Sequence, residues 1–212
     1  MKASEILAAR AHADAYLASI SRRVHPDTPL DVTDFGLGDF PRTGLVARVL
    51  VNRRQYCSKW LIQQEEQVCP PHFHRNKVED IACEGGRILM TLWGTADLTV
   101  ESGGNFDHRA LSVDVELNGR SYGCCDVDPE RGLNFVLGEN ERVHVPNGLW
   151  HSFQPIGGSG LGVEVSTWND DAGDNVFADE RINRFVAEIE QDLPGTSVTI
   201  GSDGFISIVT LA

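Results

Sequence analysis

The stretch Pro70-Pro71-His72-Phe73-His74-Arg75-Asn76-Lys77-Val78-Glu79 decides how this chain is read. On an extended strand side chains alternate, so His72 and His74 leave one face while Phe73 faces the other layer. Two imidazoles on one face can chelate one metal, and a carboxylate adds an anionic ligand. Glu79 joins them only if the chain turns after His74, and Arg75-Asn76 is a suitable place. Where the strand resumes, Lys77 and Glu79 share a face and point together into the site.

A fourth ligand is expected downstream, in Pro146-Asn147-Gly148-Leu149-Trp150-His151. Pro-x-Gly makes a tight turn and sets the following histidine near the start of a strand. These stretches resemble the two motifs of the cupins, His-x-His-(x)4-Glu-(x)6-Gly from His72 to Gly86 and Pro-x-Gly-(x)2-His from Pro146 to His151, in the correct order. The resemblance implies an all-β core, a jelly-roll-like β-barrel holding one divalent metal through His72, His74, Glu79 and His151. A single histidine would be read as a satisfied core or surface residue; three with a glutamate at two motif spacings reverse that. The segment between the motifs is long for a minimal cupin and predicts extra strands or an extended hairpin. The second motif lacks its usual trailing Asn, which is not a ligand, since Gln154 and Pro155 follow Phe153. Mixed nitrogen and oxygen donors with further positions open favour Mn, Fe, Co, Ni or Zn over Ca or Mg, and open positions admit substrate or water. His144, alternating with Val143 and Val145, is expected to be a non-ligand, and His12, His25 and His108 to be solvated.

Outward from the motifs, the chain reads as short strands punctuated by turns. Leu45–Val51, Lys59–Gln63, Ile88–Trp93, Ala96–Val100, Leu111–Leu117, Leu133–Leu137 and Gly162–Thr167 are strand candidates. Asn118-Gly119 is a two-residue hairpin signal. Before them, Ile6, Ala9, Ala13, Tyr16, Leu17, Ile20 and Val24 recur at helical spacing and predict a helix from Ser4 to about Val24, closed by Pro26 and Pro29. After them, Ile182, Phe185, Val186, Ile189 and Leu193 predict a second helix from about Ala178 to Leu193, stopped by Pro194-Gly195. Ser197–Leu211 reads as a final strand pair around Ser202-Asp203-Gly204. The expectation is one cupin domain over 1–212: an N-terminal helix and lead-in (1–44), the β-barrel (45–176), and a C-terminal helix with final strands (177–212).

Composition narrows the function. A formal net charge of −13 over 212 residues argues against nucleic acid, which demands basic patches, and against anionic membranes. Glu5, Arg10, His12 and Asp14 break any signal-peptide core, and no apolar run is long enough to cross a bilayer. Cys57, Cys69, Cys83, Cys124 and Cys125 are odd in number and lack C-x-x-C spacing, which predicts reduced thiols, buried and inert, in a cytoplasmic protein.

Beyond the cupin motifs, the chain resembles the D-lyxose isomerase family. The matching stretches are Tyr56-Cys57-Ser58-Lys59, Pro71-His72-Phe73-His74 through Lys77-Val78-Glu79-Asp80-Ile81 to Gly85-Gly86, Pro146 to Phe153, and Glu164-Val165-Ser166-Thr167-Trp168-Asn169-Asp170-Asp171. They span roughly residues 45 to 180; Cys83 and Glu84 depart from the more polar or basic stretch usual there, which puts fine substrate preference in question. The resemblance implies a Mn2+-dependent aldose–ketose isomerase, a homodimer, interconverting D-lyxose and D-xylulose, and also D-mannose and D-fructose, by proton transfer through a cis-enediol on a metal-bound sugar. Ketol isomerisation needs a Lewis acid on both oxygens and a base near the C–H. Glu164, between Val163 and Val165, is the expected base and Lys77 its cationic partner; Asp170, Asp171 and Lys59 are expected to bind the monosaccharide. Spacing alone also allows Glu164 and Lys77 to be solvated and Asp170-Asp171 to be an Asx-rich turn. A hydride shift is the alternative mechanism. The rival functions are an Fe(II) dioxygenase, a phosphosugar isomerase, for which the acidic chain offers no basic cluster, and a sugar-binding cupin without turnover.

Overall fold

The computed structural model describes residues 1–96, 112–170, 173–182 and 188–210. Helix α1 (Ala3–Ser19) is followed by strands β1 (Leu30–Thr33), β2 (Leu45–Asn52), β3 (Cys57–Gln63), β4 (Cys69–His74), β5 (Glu79–Gly85), β6 (Ile88–Thr95), β7 (Ser112–Leu117) and β8 (Arg120–Asp126). Then come β9 (Leu133–Leu137), β10 (Arg142–Val145), β11 (Leu149–Pro155), β12 (Gly160–Ser166), β13 (Asn175–Phe177), β14 (Thr196–Ile200) and β15 (Ile206–Thr210). The strand candidate at Ala96–Val100, apart from Ala96, and His108 lie outside the described residues.

An eight-stranded sheet in the order β1-β2-β3-β12-β5-β10-β7-β8 lies against a five-stranded sheet in the order β13-β4-β11-β6-β9, all pairs antiparallel. The expected barrel is thus a jelly-roll-like pair of facing sheets. Alternation builds the layers. Ala47, Leu61, Ile81, Val143 and Val145 of the large sheet meet Cys69, Met90, Leu92 and Phe153 of the small sheet in one buried core. On the outer side of the large sheet Val46, Ile62 and Leu161 pack under Ile6, Ala9, Ala13 and Leu17 of α1.

Three expectations needed refinement. Helix α1 stops at Ser19 rather than Val24, because Ser21 turns left-handed (φ 59°) while the Ser21 and Arg22 amides bond back to Ala18 and Leu17. The second helix is not borne out where the chain is described: 178–182 form bends and turns, and Glu190 makes a parallel bridge to Lys2. Ile189 packs, partly buried, against the α1 core without a helix; residues 183–187 lie outside the described part. Cys57, Cys69 and Cys83 are buried and unpaired as expected, but on β8 Cys124 is exposed and Cys125, packed against the core, is only partly buried.

The predicted turns hold. Asn118 and Gly119 take φ 56° and 75° between β7 and β8, the paired positive values of a type I′ hairpin. This hairpin, inserted between the two motifs, lengthens the large sheet. At the other motif boundary Gly86 has φ 74°, and a Cβ there would sit 2.6 Å from the Ser159 carbonyl oxygen, so both conformation and space demand glycine. β14 and β15 form the expected terminal hairpin, with Leu211 outside the described residues. Among the described residues no helix is long and apolar enough to cross a membrane.

Candidate metal centre

The His-x-His stretch occupies β4, where His72 and His74 face the inter-sheet space and Phe73 turns outward. Phe73 packs edge-on against Trp150 at 4.7 Å between ring centroids, in a small outer cluster with Trp93. β11 repeats the alternation: Trp150 points out, His151 in, and His151 is paired in register with His72. The tight turn ahead of it is held by the Gly148 amide donating to the His74 carbonyl at 2.7 Å. β4 and β11 thereby bring three imidazoles together, their ligand atoms within 4.8 Å of one another and all three residues buried.

The hydrogen bonds assign the ring tautomers. His72 Nδ1 donates to the Pro70 carbonyl at 2.8 Å and His151 Nδ1 to the Leu149 carbonyl at 2.9 Å. With the proton on Nδ1, each Nε2 carries a lone pair directed into the site. Glu79 Oε1 lies 3.0 Å from His151 Nε2 and 3.4 Å from His74 Nε2. Both Nε2 atoms are nevertheless buried without a hydrogen bond among the described residues. Buried polar atoms left unsatisfied are costly, and a cation shared among these donors satisfies them all at once. The residues therefore fit a divalent metal.

Lys77 precedes β5 rather than lying in it, yet its ammonium reaches Glu79 Oε2 at 2.7 Å and Glu164 Oε1 at 3.1 Å. Glu164, on β12 opposite Lys59 of β3 and Ile81 of β5, is 4% exposed and faces inward. Its neighbours on the outer face behave differently from each other: Val163 packs toward α1, while Val165 is exposed rather than packed. The Ser166 hydroxyl, two residues along the same strand face, donates to Glu164 Oε1 at 2.7 Å.

Charge is tightly managed here. Burial lowers His72 well below the ordinary histidine range, helped by repulsion from His151 and His74. Burial, then Lys77, does the same to His74. Burial pushes Glu79 up, but Lys77, His74 and His151 together outweigh it and hold the carboxyl well below its usual value. His72 and His74 are thus neutral and Glu79 is ionised, the protonation states that metal ligands require. Burial raises the thiols of Cys57, to about 11, and of Cys69.

The other expected residues are more peripheral. Lys59 is buried and lines a cavity of about 900 Å³ together with Asn52, Asn169 and Asp170, a lining that includes none of the histidines, Glu79, Lys77 or Glu164. Asp170 Oδ1 accepts from the Gly173 amide at 3.1 Å, ahead of β13. Asp171 lies outside the described residues. His144 points away from the centre and meets Asp80 at 2.9 Å; His12 and His25 are exposed.

Two buried residues had not been singled out from the sequence. Ser166 had a signal, the period of two from Glu164. Asp174 had none: it is 4% exposed, and its carboxylate accepts from the Asn76 amide at 2.7 Å, the Asn76 side-chain amide at 2.8 Å and the Lys77 amide at 3.0 Å. It arrives because β13 pairs with β4 in the register Asn175↔His74.

Comparison with known proteins follows the same lines. A family model described as D-lyxose isomerase matches residues 19–202. The chain is 35% identical over 175 residues to a D-lyxose/D-mannose isomerase of Serratia proteamaculans, covering 77% of this chain and 71% of that one. It is 32% identical over 179 residues to a D-lyxose/D-mannose isomerase of Escherichia coli O157:H7, covering 79% and 73%. Among solved structures, the L-ribose isomerase of Geodermatophilus obscurus superposes with a TM-score of 0.63 at 15% identity, covering 86% of this chain and 95% of that one. That likeness is one of fold.

Proposed function

This chain belongs to the D-lyxose isomerase family, and we propose that it interconverts D-lyxose and D-xylulose, with D-mannose and D-fructose as a second pair. It is a sugar isomerase of cupin architecture, a single domain on this reading. The observation that carries the proposal is the continuous buried run from the three imidazoles through Glu79 and Lys77 to Glu164. A binding or storage site has no need of a second carboxylate held beside the ligands by a shared lysine.

His72, His74, Glu79 and His151 would hold the cation, Mn2+ in this nitrogen–oxygen set, with Co2+, Fe2+, Ni2+ or Zn2+ as substitutes. When bound, it supplies a Lewis acid for the sugar oxygens that exchange carbonyl and hydroxyl character. Glu164 takes the proton from the hydroxyl-bearing carbon beside the carbonyl and returns it to the former carbonyl carbon through a cis-enediol, while the hydroxyl proton passes between the two oxygens, shuttled by Lys77. Among the described residues both hydrogen bonds to Glu164 fall on Oε1, which anchors the carboxylate and leaves Oε2 for the C–H proton. Lys77 offsets both carboxylates and stabilises negative charge as it develops on the enediolate oxygens. Lys59, Asp170 and Asp171 are assigned to the sugar hydroxyls. A cytoplasmic homodimer completes the proposal.

The test is dialysis of the protein against a chelator followed by a sugar panel scored for ketose formation. D-Lyxose conversion should vanish and return with Mn2+. Conversion that survives complete metal removal refutes the proposal; oxygen uptake with an aromatic or thiol substrate instead would place the chain among the dioxygenases.

A further inference from the structure

The three imidazoles are not supported alike. His72 and His151 each donate Nδ1–H to a neutral backbone carbonyl. His74 Nδ1 is buried and makes no hydrogen bond among the described residues. It faces Asp174 Oδ2 at 3.9 Å. Asp174 already accepts three donors from the turn that follows His74, two on Oδ1 from Asn76 and one on Oδ2 from the Lys77 amide. A carboxylate has about four acceptor positions, so among the described residues one remains, and it lies on the oxygen that faces His74. The main chain is tied to the same place, with the Arg75 amide donating to the Asp174 carbonyl at 3.0 Å.

We propose that Asp174 is a positioning residue that couples a metal ligand to the lysine beside the base. Its carboxylate accepts the His74 Nδ1 proton once a cation occupies Nε2, and the same carboxylate fixes the turn that delivers Lys77 between Glu79 and Glu164. The inference rests on the metal reading above. A cation at Nε2 obliges the ring to carry its proton on Nδ1, and a buried N–H without an acceptor is costly. Closing 3.9 Å to hydrogen-bond distance takes a shift of roughly 1 Å. Of the three rings, His74 then gains the charged acceptor, which makes its Nε2 the more basic ligand. One side chain thereby sets ligand orientation and cation placement together.

The test uses Co2+, whose visible spectrum reports coordination, titrated into the metal-free full-length protein. Asp174→Asn keeps the shape but turns an NH2 toward the donors. It should lose roughly 10- to 100-fold in Co2+ affinity, the usual effect of removing a partner of a ligating histidine, with a changed spectrum. Asn76→Ala, which removes one donor to Asp174 and leaves its approach to His74, should keep wild-type affinity and spectrum; a loss as large as that of Asp174→Asn would assign the effect to the turn and overturn the coupling to His74. Wild-type affinity and spectrum in Asp174→Asn also overturn the proposal. The Zn2+-loaded wild-type protein gives an answer that does not depend on any variant folding. Long-range 1H–15N correlation should show His74 protonated on Nδ1, with the proton further downfield than those of His72 and His151; a ring bound through Nδ1 overturns the assignment. Failure of the wild type to bind Co2+ at all would strike the metal reading itself, a result distinct from equal binding by both proteins.

Discussion

Replacing Glu164 by glutamine isolates proton transfer from everything else the residue does. Glutamine keeps Oε1, so the 2.7 Å bond from Ser166 and the 3.1 Å contact with Lys77 both survive. Lys77 also retains Glu79 at 2.7 Å. None of the four ligands is touched, so metal content and melting temperature should stay near those of the wild type. What disappears is a group able to accept a proton from carbon. Positioned general-base catalysis contributes on the order of 10²–10⁴ in rate, about 3–5 kcal/mol of barrier. The decisive assay is steady-state ketose formation from D-lyxose by the Mn2+-loaded variant, with metal content measured on the same sample. The loss should fall on kcat and leave KM little changed, because the residue acts on the reacting carbon rather than on binding. A fully loaded, folded variant with near-wild-type kcat refutes the reasoning and moves the base elsewhere. Loss of metal alongside loss of rate would instead make Glu164 a support of the centre.

Two further outcomes follow from the buried charges. Lys77→Met leaves Glu79 and Glu164 buried without their shared cation, and stripping one partner from a buried ion pair costs about 3–5 kcal/mol; chemical denaturation of the metal-free protein should show a loss of this size, reduced when Mn2+ is added, and an unchanged midpoint would refute it. The metal-free fold should also be acid-sensitive. His72 and His74 titrate below their unfolded value, burial being the main cause, so the unfolded chain takes up protons first. Their stabilising contribution is complete above about pH 6.5 and declines as the pH falls below it, by at most ~1.4 kcal/mol per unit for each ring. Thermal melts of chelated protein between neutral and mildly acidic pH should show the decline, and Mn2+ should shift it to lower pH; a flat profile would contradict the buried neutral imidazoles.

The centre was legible because its ligands sit in short local patterns. His72 and His74 need only the period of a strand, and Pro146-Asn147-Gly148 aims His151 by a turn whose chemistry is written in three residues. Glu164 was inferred from alternation and family resemblance, and its outer neighbour Val165 shows the limit of that argument: the faces were right, but Val163 is covered by the α1-side cluster while Val165 is not. Asp174 was not readable, since its partners Asn76 and Lys77 lie nearly a hundred residues earlier and meet it only through the β13–β4 ladder. The helix expected near the C-terminus failed in the described part for a related reason. Ile189 has helical spacing to its neighbours, but the bridge from Lys2 to Glu190 offers it an apolar berth without one.

β13 spans only Asn175–Phe177, and it forms one border of the small sheet beside the strand that carries His72 and His74. A border strand this short offers a passing chain too few amide and carbonyl groups to extend the sheet. The histidine strand therefore sits one place in from the rim, sheltered from recruitment into intermolecular β-structure. Lengthening β13 by design would weaken that shelter, and crowded or partly unfolded preparations would be the first place to see it.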